Sequence, residues 1–213
     1  MPSPHCCGVD KLFNEKSARK QLKRYRKKGP LKPTSVLIEA IKGKGISGCS
    51  ILDIGGGIGA IQLELLKAGA TSAISVDASH GYLKIAKEEA ENQNLSDKIE
   101  QQFGDFTEVA ETIEQHSIVT LDKVICCYPD IDKLLALSLE KCSKYYGLVF
   151  PKGGAIAKLF AGFANLFFKI TRNSFRTFIH PPEFVHQTIT ANGFVKVFHH
   201  TTFVWHVVLY EKK

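Results

Sequence analysis

Apolar residues along the chain alternate between short unbroken runs and stretches with helical spacing. Residues 51–54 hold three apolar side chains around one carboxylate, which is the pattern of a short buried strand. Ile58, Ile61 and Leu65 then recur at intervals of three and four, which predicts a helix over 58–67. The stretch 51–67 is therefore predicted to be a strand, a turn and a helix.

The same two patterns continue through the rest of the chain. They predict strands over 73–76, 99–103, 121–128, 146–150, 193–202 and 202–210, and helices over 10–28, 35–42, 81–94, 107–113, 131–142, 155–168 and 182–191. Because strands and helices alternate up to residue 150, we expect an α/β fold with a parallel sheet. The last two strands would add an antiparallel hairpin at its end.

The turn after the first predicted strand is rich in glycine. Gly55, Gly56, Gly57 and Gly59 follow Asp53, and they allow positive φ angles and a close approach of the backbone to a ligand. The spacing Gly-x-Gly-x-Gly differs from the Gly-x-Gly-x-x-Gly of dinucleotide sites. The Asp53 carboxylate would repel a pyrophosphate but pair with a cationic amino-acid ligand, which favours S-adenosylmethionine over NAD. A plain tight turn is the alternative interpretation.

Carboxylates also follow the next two predicted strands. Asp77 ends the second strand and can accept both hydroxyls of a ribose as a bidentate pair. Asp105 and Phe106 follow Phe103-Gly104 at the end of the third strand. Two spaced carboxylates around one glycine turn are unexpected by chance, and they indicate a nucleoside-binding site.

In this order of motifs the chain resembles the class I S-adenosylmethionine-dependent methyltransferases. The resemblance covers roughly residues 50–210 and implies a doubly wound, mostly parallel seven-stranded sheet with an antiparallel last strand. It also implies that Asp53 lies near the methionine end of the cofactor, Asp77 on the ribose, and Asp105 on the adenine amino group with Phe106 beside the ring. The remaining predicted cofactor-binding residues are Gly55, Gly56, Gly57, Gly59, Ala78, Cys126 and Tyr25.

The segment 153–180 departs from the alternation of strands and helices. Residues 155–168 are apolar nearly all round, with Lys158, Lys169 and Arg172 nearby. We expect this helix to be core or to line an apolar substrate pocket, and a membrane contact is the alternative. The segment is therefore predicted to be a substrate-side insertion within a methyltransferase domain spanning 33–213.

A narrower resemblance, to magnesium-protoporphyrin O-methyltransferases, covers 150–180. It depends on Phe150-Pro151-Lys152, Leu159-Phe160, Leu166-Phe167, Arg176 and His180. A cation such as Arg176 would hold a substrate carboxylate, which needs no base because it is already ionised. His180 is the candidate base if one is needed, and local packing beside Pro181-Pro182 is its equally weighted alternative.

Charge is concentrated at the amino end. The chain has a net charge of +7, and residues 1–44 hold 12 Lys/Arg against 3 Asp/Glu, which leaves 16 against 18 for the rest. Residues 1–32 are therefore predicted to be a basic arm with a lid helix whose Tyr25 faces the pocket. Its run 24–28 is interpreted, in order of preference, as a solvated face, a site for an acidic small molecule, or a nucleic-acid contact.

Six cysteines bear on chemistry and on compartment. They are expected to be reduced thiols of a cytoplasmic protein, because the chain shows no signal peptide and no apolar run of roughly 20 residues. The pairs Cys6-Cys7 and Cys126-Cys127 lack the spacing of a zinc site, so no metal is predicted. A soft ion or metalloid held between the two pairs is the minor alternative.

These observations predict an S-adenosylmethionine-dependent methyltransferase acting on a small, largely apolar molecule, at oxygen. The predicted partner is a small-molecule substrate rather than nucleic acid, with peripheral membrane contact left open. One alternative is a non-catalytic S-adenosylmethionine-binding or scaffold module. The other is a methyltransferase that acts on nucleic acid or protein through the basic arm.

Overall fold

A central β-sheet carries helices on both faces. The computed structural model describes residues 4–213, apart from the side chains of residues 4–7, 155, 156 and 160. The strands are β1 (Ser50–Ile54), β2 (Ser72–Asp77), β3 (Ile99–Phe103), β4 (His116–Asp122), β5 (Cys142–Pro151), β6 (Phe194–Thr201) and β7 (Trp205–Lys212). The helices are α1 (Pro4–Leu12), α2 (Glu15–Lys28), α3 (Lys32–Lys42), α4 (Ala60–Lys67), α5 (His80–Asn92), α6 (Phe106–Val109), α7 (Ile131–Glu140), α8 (Ala155–Ile170) and α9 (Pro182–Ala191).

The described strands form one seven-stranded sheet in the order β3-β2-β1-β4-β5-β7-β6. β1 pairs in parallel with both β2 and β4, so its carboxyl end lies at the centre of one sheet edge. β7 is antiparallel to both of its neighbours, β5 and β6. The predicted fold class, a mostly parallel seven-stranded α/β sheet with an antiparallel last strand, is confirmed.

Apolar faces of the helices cover the sheet on both sides. One buried cluster joins Leu52 and Ile54 of β1 to Phe106 of α6 and to α7 and α9. A second cluster packs α3 and α4 on the opposite face, where Leu37 of α3 reaches Gly147 of β5. α3 therefore covers β5 and β7.

The basic arm forms part of a third cluster. Ala18, Leu22 and Tyr25 of α2 are buried against α5 and against Leu63 of α4. The predicted helix 10–28 is interrupted after Leu12, because the Asn14 side chain accepts the Ser17 N–H and begins a new helix. The arm is thus two helices packed on the folded body.

The sequence pattern predicts the wrong bounds for the fourth strand. The prediction places it at 121–128, but β4 ends at Asp122 because Lys123 takes a left-handed φ of 64°. The apolar residues that follow form a 3₁₀ turn, Ile125–Cys127, in which Ile125 is buried under α7. Cys126 and Cys127 therefore lie in a turn beyond the sheet edge rather than in a strand.

Among the helices of residues 4–213, none has the length and apolar character needed to cross a membrane.

Candidate functional site

A cavity of about 360 Å³ opens at the carboxyl ends of β1 and β2, beside the turn after β4. The arm covers it, with Val9, Phe13, Gln21, Arg24 and Tyr25 in its wall. Parallel α/β sheets bind ligands at this edge. The predicted cofactor residues that line the cavity are Tyr25, Asp53, Gly55, Gly56, Gly57, Asp77, Ala78, Asp105 and Phe106.

The glycine turn comes close to the loop after β4. Gly55 has a φ of 65°, and a Cβ added to it would lie 2.5 Å from Cγ2 of Val124. Only glycine fits this backbone without moving its neighbour. Gly59, which does not line the cavity, has a φ of 80° and begins α4 as its N-cap. The glycines thus open the cavity and start the helix behind it.

Asp53 lies under the turn, 1% exposed, within a buried polar network. Thr120 Oγ1 donates to its Oδ1 at 2.6 Å, and Gln62 Nε2 donates to its Oδ2 at 3.2 Å. A Cβ on Gly56 would lie 2.5 Å from that Gln62 nitrogen, so this glycine leaves room for the network. Burial raises the pKa of Asp53 to about 7, because water no longer solvates its charge.

Asp77 faces the glycine turn from the end of β2. Its Oδ2 accepts the Gly57 N–H and its Oδ1 accepts the Ser79 N–H, both at 2.9 Å. These bonds fix the carboxylate, and its oxygens have lone pairs for further donors. Burial raises the pKa of Asp77 to about 6.

Asp105 and Phe106 close the opposite side of the cavity. Asp105 Oδ1 accepts the Thr107 N–H at 2.9 Å as the N-cap of α6. Phe106 is 1% exposed and belongs to the core, and its N–H donates to Tyr128 Oη at 3.3 Å. Tyr128 and Cys127 also line the cavity, whereas Cys126 is not in its wall.

The paired thiols of the turn after β4 have different surroundings. A hydrogen bond from the Cys127 thiol lowers the pKa of Cys126, and the same contact together with burial raises the pKa of Cys127. The side chains of Cys6 and Cys7 lie outside the described residues. Within the described part of the chain, no group of three or more His, Cys, Asp or Glu side chains is placed to hold a metal.

Polar contacts fasten the arm over the cavity. Tyr25 Oη donates to Glu64 Oε1 at 2.7 Å, so the ring lines the cavity while the hydroxyl is held by α4. Burial raises the pKa of the Tyr25 hydroxyl above its usual range. Arg26 pairs with Glu89, which is 1% exposed, and Ser79 Oγ donates to the Phe13 carbonyl.

Arg176 and His180 lie outside the cavity wall. Arg176 Nη1 donates to the Asn173 and Phe175 carbonyls, each at 2.6 Å, so it stabilises its own loop. His180 Nε2 lies 3.0 Å from the Tyr128 carbonyl, and burial lowers its pKa. The structure does not bring these two residues together with the predicted cofactor residues.

Two cations line the cavity instead. Arg24 belongs to the run 24–28, for which an acidic ligand is one interpretation of the sequence, whereas Lys123 is a residue that the sequence pattern missed. Arg24 comes from the arm, and Lys123 is the left-handed residue that ends β4. Lys123 Nζ donates to Asp122 Oδ1 at 2.6 Å and to Thr34 Oγ1 at 2.8 Å. Lys123 follows a parallel strand directly, and this signal was hidden because the strand was predicted too far along the chain.

Residues 51–140 match the family model of a methyltransferase domain. This stretch, 90 of the 213 residues, is similar to a methyltransferase domain. The match contains β1 to α7, and therefore the glycine turn, Asp53, Asp77 and Asp105. The recognition of a methyltransferase and of S-adenosylmethionine as its cofactor is confirmed at the level of this domain.

Curated relatives share part of this domain. The ribosomal protein L11 methyltransferase of Syntrophomonas wolfei is 31% identical over 91 residues, which are 41% of this chain and 30% of that protein. The protein of the same name from Salmonella arizonae is 31% identical over 67 residues, 32% of this chain and 23% of that one. The chain thus matches less than a third of the length of either relative.

Solved structures share the fold over more of the chain. The magnesium protoporphyrin IX methyltransferase of Synechocystis PCC 6803 with bound S-adenosylhomocysteine has a TM-score of 0.69 at 16% identity, covering 96% of this chain and 98% of that one. The geranyl diphosphate C-methyltransferase of Streptomyces coelicolor has a TM-score of 0.68 at 11% identity, covering 93% and 84%. At these identities the likeness shows the fold alone, over 93–96% of the chain.

The residues of the cavity fit S-adenosylmethionine. The glycine turn leaves space where a Cβ at Gly55 would meet Val124. The carboxylate of Asp53 suits an ammonium group, and Asp77 suits the hydroxyls of a ribose.

The affinity for S-adenosylhomocysteine is expected to rise about tenfold from about pH 6 to about pH 8. Asp53, with its pKa raised to about 7, would have to lose its proton to pair with the ligand's ammonium group, and Asp77, with its pKa raised to about 6, would titrate in the same direction. Calorimetric titrations at the two pH values measure the change. Asp53→Asn should flatten the profile, and a wild-type affinity that falls as pH rises would contradict the assignment.

Proposed function

We propose that the protein transfers the methyl group of S-adenosylmethionine to an oxygen of a small, largely apolar molecule. The observation that carries this proposal is the composition of a single cavity. The cavity combines the carboxylates Asp53, Asp77 and Asp105 with apolar side chains of the arm, among them Val9 and Phe13. Small-molecule sites have this character, with an apolar wall and a few convergent polar groups.

The carboxylates would hold the cofactor by its polar ends. Asp53 would pair with the ammonium of the methionine moiety, Asp77 would accept the ribose hydroxyls, and Asp105 with Phe106 would hold the adenine. When bound, S-adenosylmethionine supplies a methyl group that an oxygen lone pair displaces in line, leaving the bonding electrons on sulfur. The protein's own contribution is to bring that oxygen to the methyl group and to exclude water.

Lys123 would position the acceptor oxygen. Lys123 lines the cavity, and its ammonium group is held by Asp122 and Thr34, which also line it. The left-handed backbone of Lys123 is costly for a residue with a side chain, and such outliers cluster at functional sites. A carboxylate acceptor held by this cation would need no general base.

The proposal is tested by incubating the protein with S-adenosylmethionine that carries a labelled methyl group and with a metabolite extract. The labelled product is expected to be a small apolar molecule methylated at oxygen, identified by mass spectrometry. With that product's precursor as substrate, Lys123→Met should raise KM about 10- to 100-fold, because it removes a charged hydrogen bond. The matched variant Arg176→Met should leave KM unchanged.

Three outcomes of these assays contradict the proposal. Label on protein or RNA would show that the substrate is a macromolecule and not a small molecule. The absence of label from every product would favour a non-catalytic binding module. A loss of activity with Arg176→Met but not with Lys123→Met would return the positioning role to Arg176.

A protein substrate is the second candidate. The curated relatives bear the name of ribosomal protein L11 methyltransferases, and the arm of this chain is basic. However, Arg19 and Arg26 of the arm pair with Glu88 and Glu89 of α5, so part of the positive charge serves to dock the arm. We therefore place the small molecule first.

A further inference from the structure

Helix α8 turns an apolar stripe to solvent. Leu159, Phe163, Leu166, Phe167 and Ile170 recur at helical spacing on one face, and each is between 53% and 72% exposed. Five neighbouring large apolar side chains on one helix are more than the single exposed apolar residues that monomers carry. This stripe is expected to contact something other than water.

The opposite face of α8 is fixed to the protein. Asn165 makes two hydrogen bonds of 2.8 Å with the backbone of Thr177, and Phe168 packs edge to face on Phe175. The helix therefore presents its stripe in a defined direction.

A second apolar feature lies beside the beginning of α8. The turn between β6 and β7 exposes Phe203, at 97%, and Val204. The Lys152 N–H donates to the Val204 carbonyl at 2.9 Å, which holds this turn next to the chain that enters α8. We call α8 and the turn 203–204 together the apolar ledge.

The segment that contains α8 carries charge of one sign. Residues 152–182, from the end of β5 to the start of α9, contain five Lys or Arg and no Asp or Glu. Lys158 and Lys169 of α8 and Arg172 just after it are exposed. Long cationic side chains beside an apolar stripe can extend their charged ends to a layer of anions while their stems remain in apolar contact.

We propose that the apolar ledge docks on a bilayer that contains anionic phospholipid. The stripe would enter the boundary between headgroups and acyl chains, and Lys158, Lys169 and Arg172 would meet the lipid phosphates. A symmetric contact between two copies of the chain fits less well, since it would bring two basic surfaces together.

Packed aromatic rings connect the ledge with the cavity wall. The ring of Phe168 lies 5.3 Å from that of Phe175, which lies 5.8 Å from that of Phe13 in the cavity wall. Resting on the proposed function, docking through the ledge would therefore hold the cavity close to an apolar substrate dissolved in the bilayer. The docking itself does not depend on catalysis.

Vesicle flotation of the full chain tests the docking. The protein should float with vesicles of phosphatidylcholine and phosphatidylglycerol at about 0.1 M salt, and far less at about 1 M salt or with phosphatidylcholine alone. Phe163→Ser and Phe167→Ser should each lower partitioning about tenfold or more. Lys169→Gln should lower it roughly fivefold. Lys98→Gln, an exposed lysine at the amino-terminal edge of the strands, is the matched control and should have no effect.

Other outcomes overturn the proposal. Protein that stays in solution with both kinds of vesicle, or floats equally well after Phe163→Ser and Phe167→Ser, excludes the ledge as a membrane surface. A concentration-dependent dimer that Phe163→Ser dissociates, without flotation, assigns the ledge to a second copy. Circular dichroism confirms folding of each variant, and labelled methyl transfer without vesicles separates a failure of docking from a failure of the proposed function.

Discussion

Asp77→Ala is expected to weaken S-adenosylhomocysteine binding by about 100-fold or more. The carboxylate would accept two ribose hydroxyls, and hydrogen bonds to a charged group contribute roughly 1.5–3 kcal/mol each. The backbone N–H groups of Gly57 and Ser79 would also lose their acceptor, so the glycine turn itself would loosen. Isothermal titration calorimetry of the purified variant measures the change.

Two further variants separate the ribose contact from the shape of the turn. Asp77→Asn keeps one carbonyl oxygen for a backbone N–H and should bind with intermediate affinity. Asp97→Ala removes an exposed carboxylate at the far edge of the sheet and should bind as the wild type does. Unchanged affinity in folded Asp77→Ala would remove Asp77 from the site.

Deleting residues 1–30 is expected to abolish methyl transfer. The arm supplies Val9, Phe13, Gln21, Arg24 and Tyr25 to the cavity wall, so its loss would admit water and remove one side of the substrate site. S-adenosylhomocysteine binding should survive in weakened form, because Asp53 and Asp77 remain. Labelled methyl transfer and calorimetry on the same protein measure the two effects.

The deletion also exposes apolar surface that Leu22 and Tyr25 cover, so a gentler variant accompanies it. The double substitution Arg26→Gln with Glu89→Gln removes the ion pair that docks α2 on α5 without leaving a buried charge unpaired. It should lower the rate of transfer by up to about fivefold, because an ion pair with a half-exposed partner is worth roughly 1 kcal/mol or less. A deletion variant that folds and retains the full rate would show that the arm is not a lid.

Local patterns predicted those elements whose ends carry a local signal. Strand 99–103 and helix 182–191 have in the structure the bounds that the sequence pattern predicts. The end of β4 had no such signal, because apolar residues continue past Lys123 into a buried turn. The left-handed backbone of Lys123 and the burial of Ile125 in the core take those residues out of the sheet.

The candidate site likewise has one part that the sequence predicts and one part that it does not. The glycine turn and Asp77 lie close together in sequence and meet through adjacent parallel strands, so their juxtaposition could be predicted. Arg24 and Lys123 reach the cavity through tertiary packing of the arm and through an unusual backbone angle, neither of which a pattern shows. Periodicity likewise marks α8 as apolar but cannot tell whether protein, lipid or water lies against each face.

A crystal structure of the protein grown with S-adenosylhomocysteine tests the central claim most directly. The account predicts the ligand in the cavity beside Gly57, with its ribose hydroxyls within hydrogen-bond distance of the Asp77 carboxylate and its adenine beside Asp105 and Phe106. A ligand bound elsewhere, or a cavity that stays empty at saturating ligand, would contradict it.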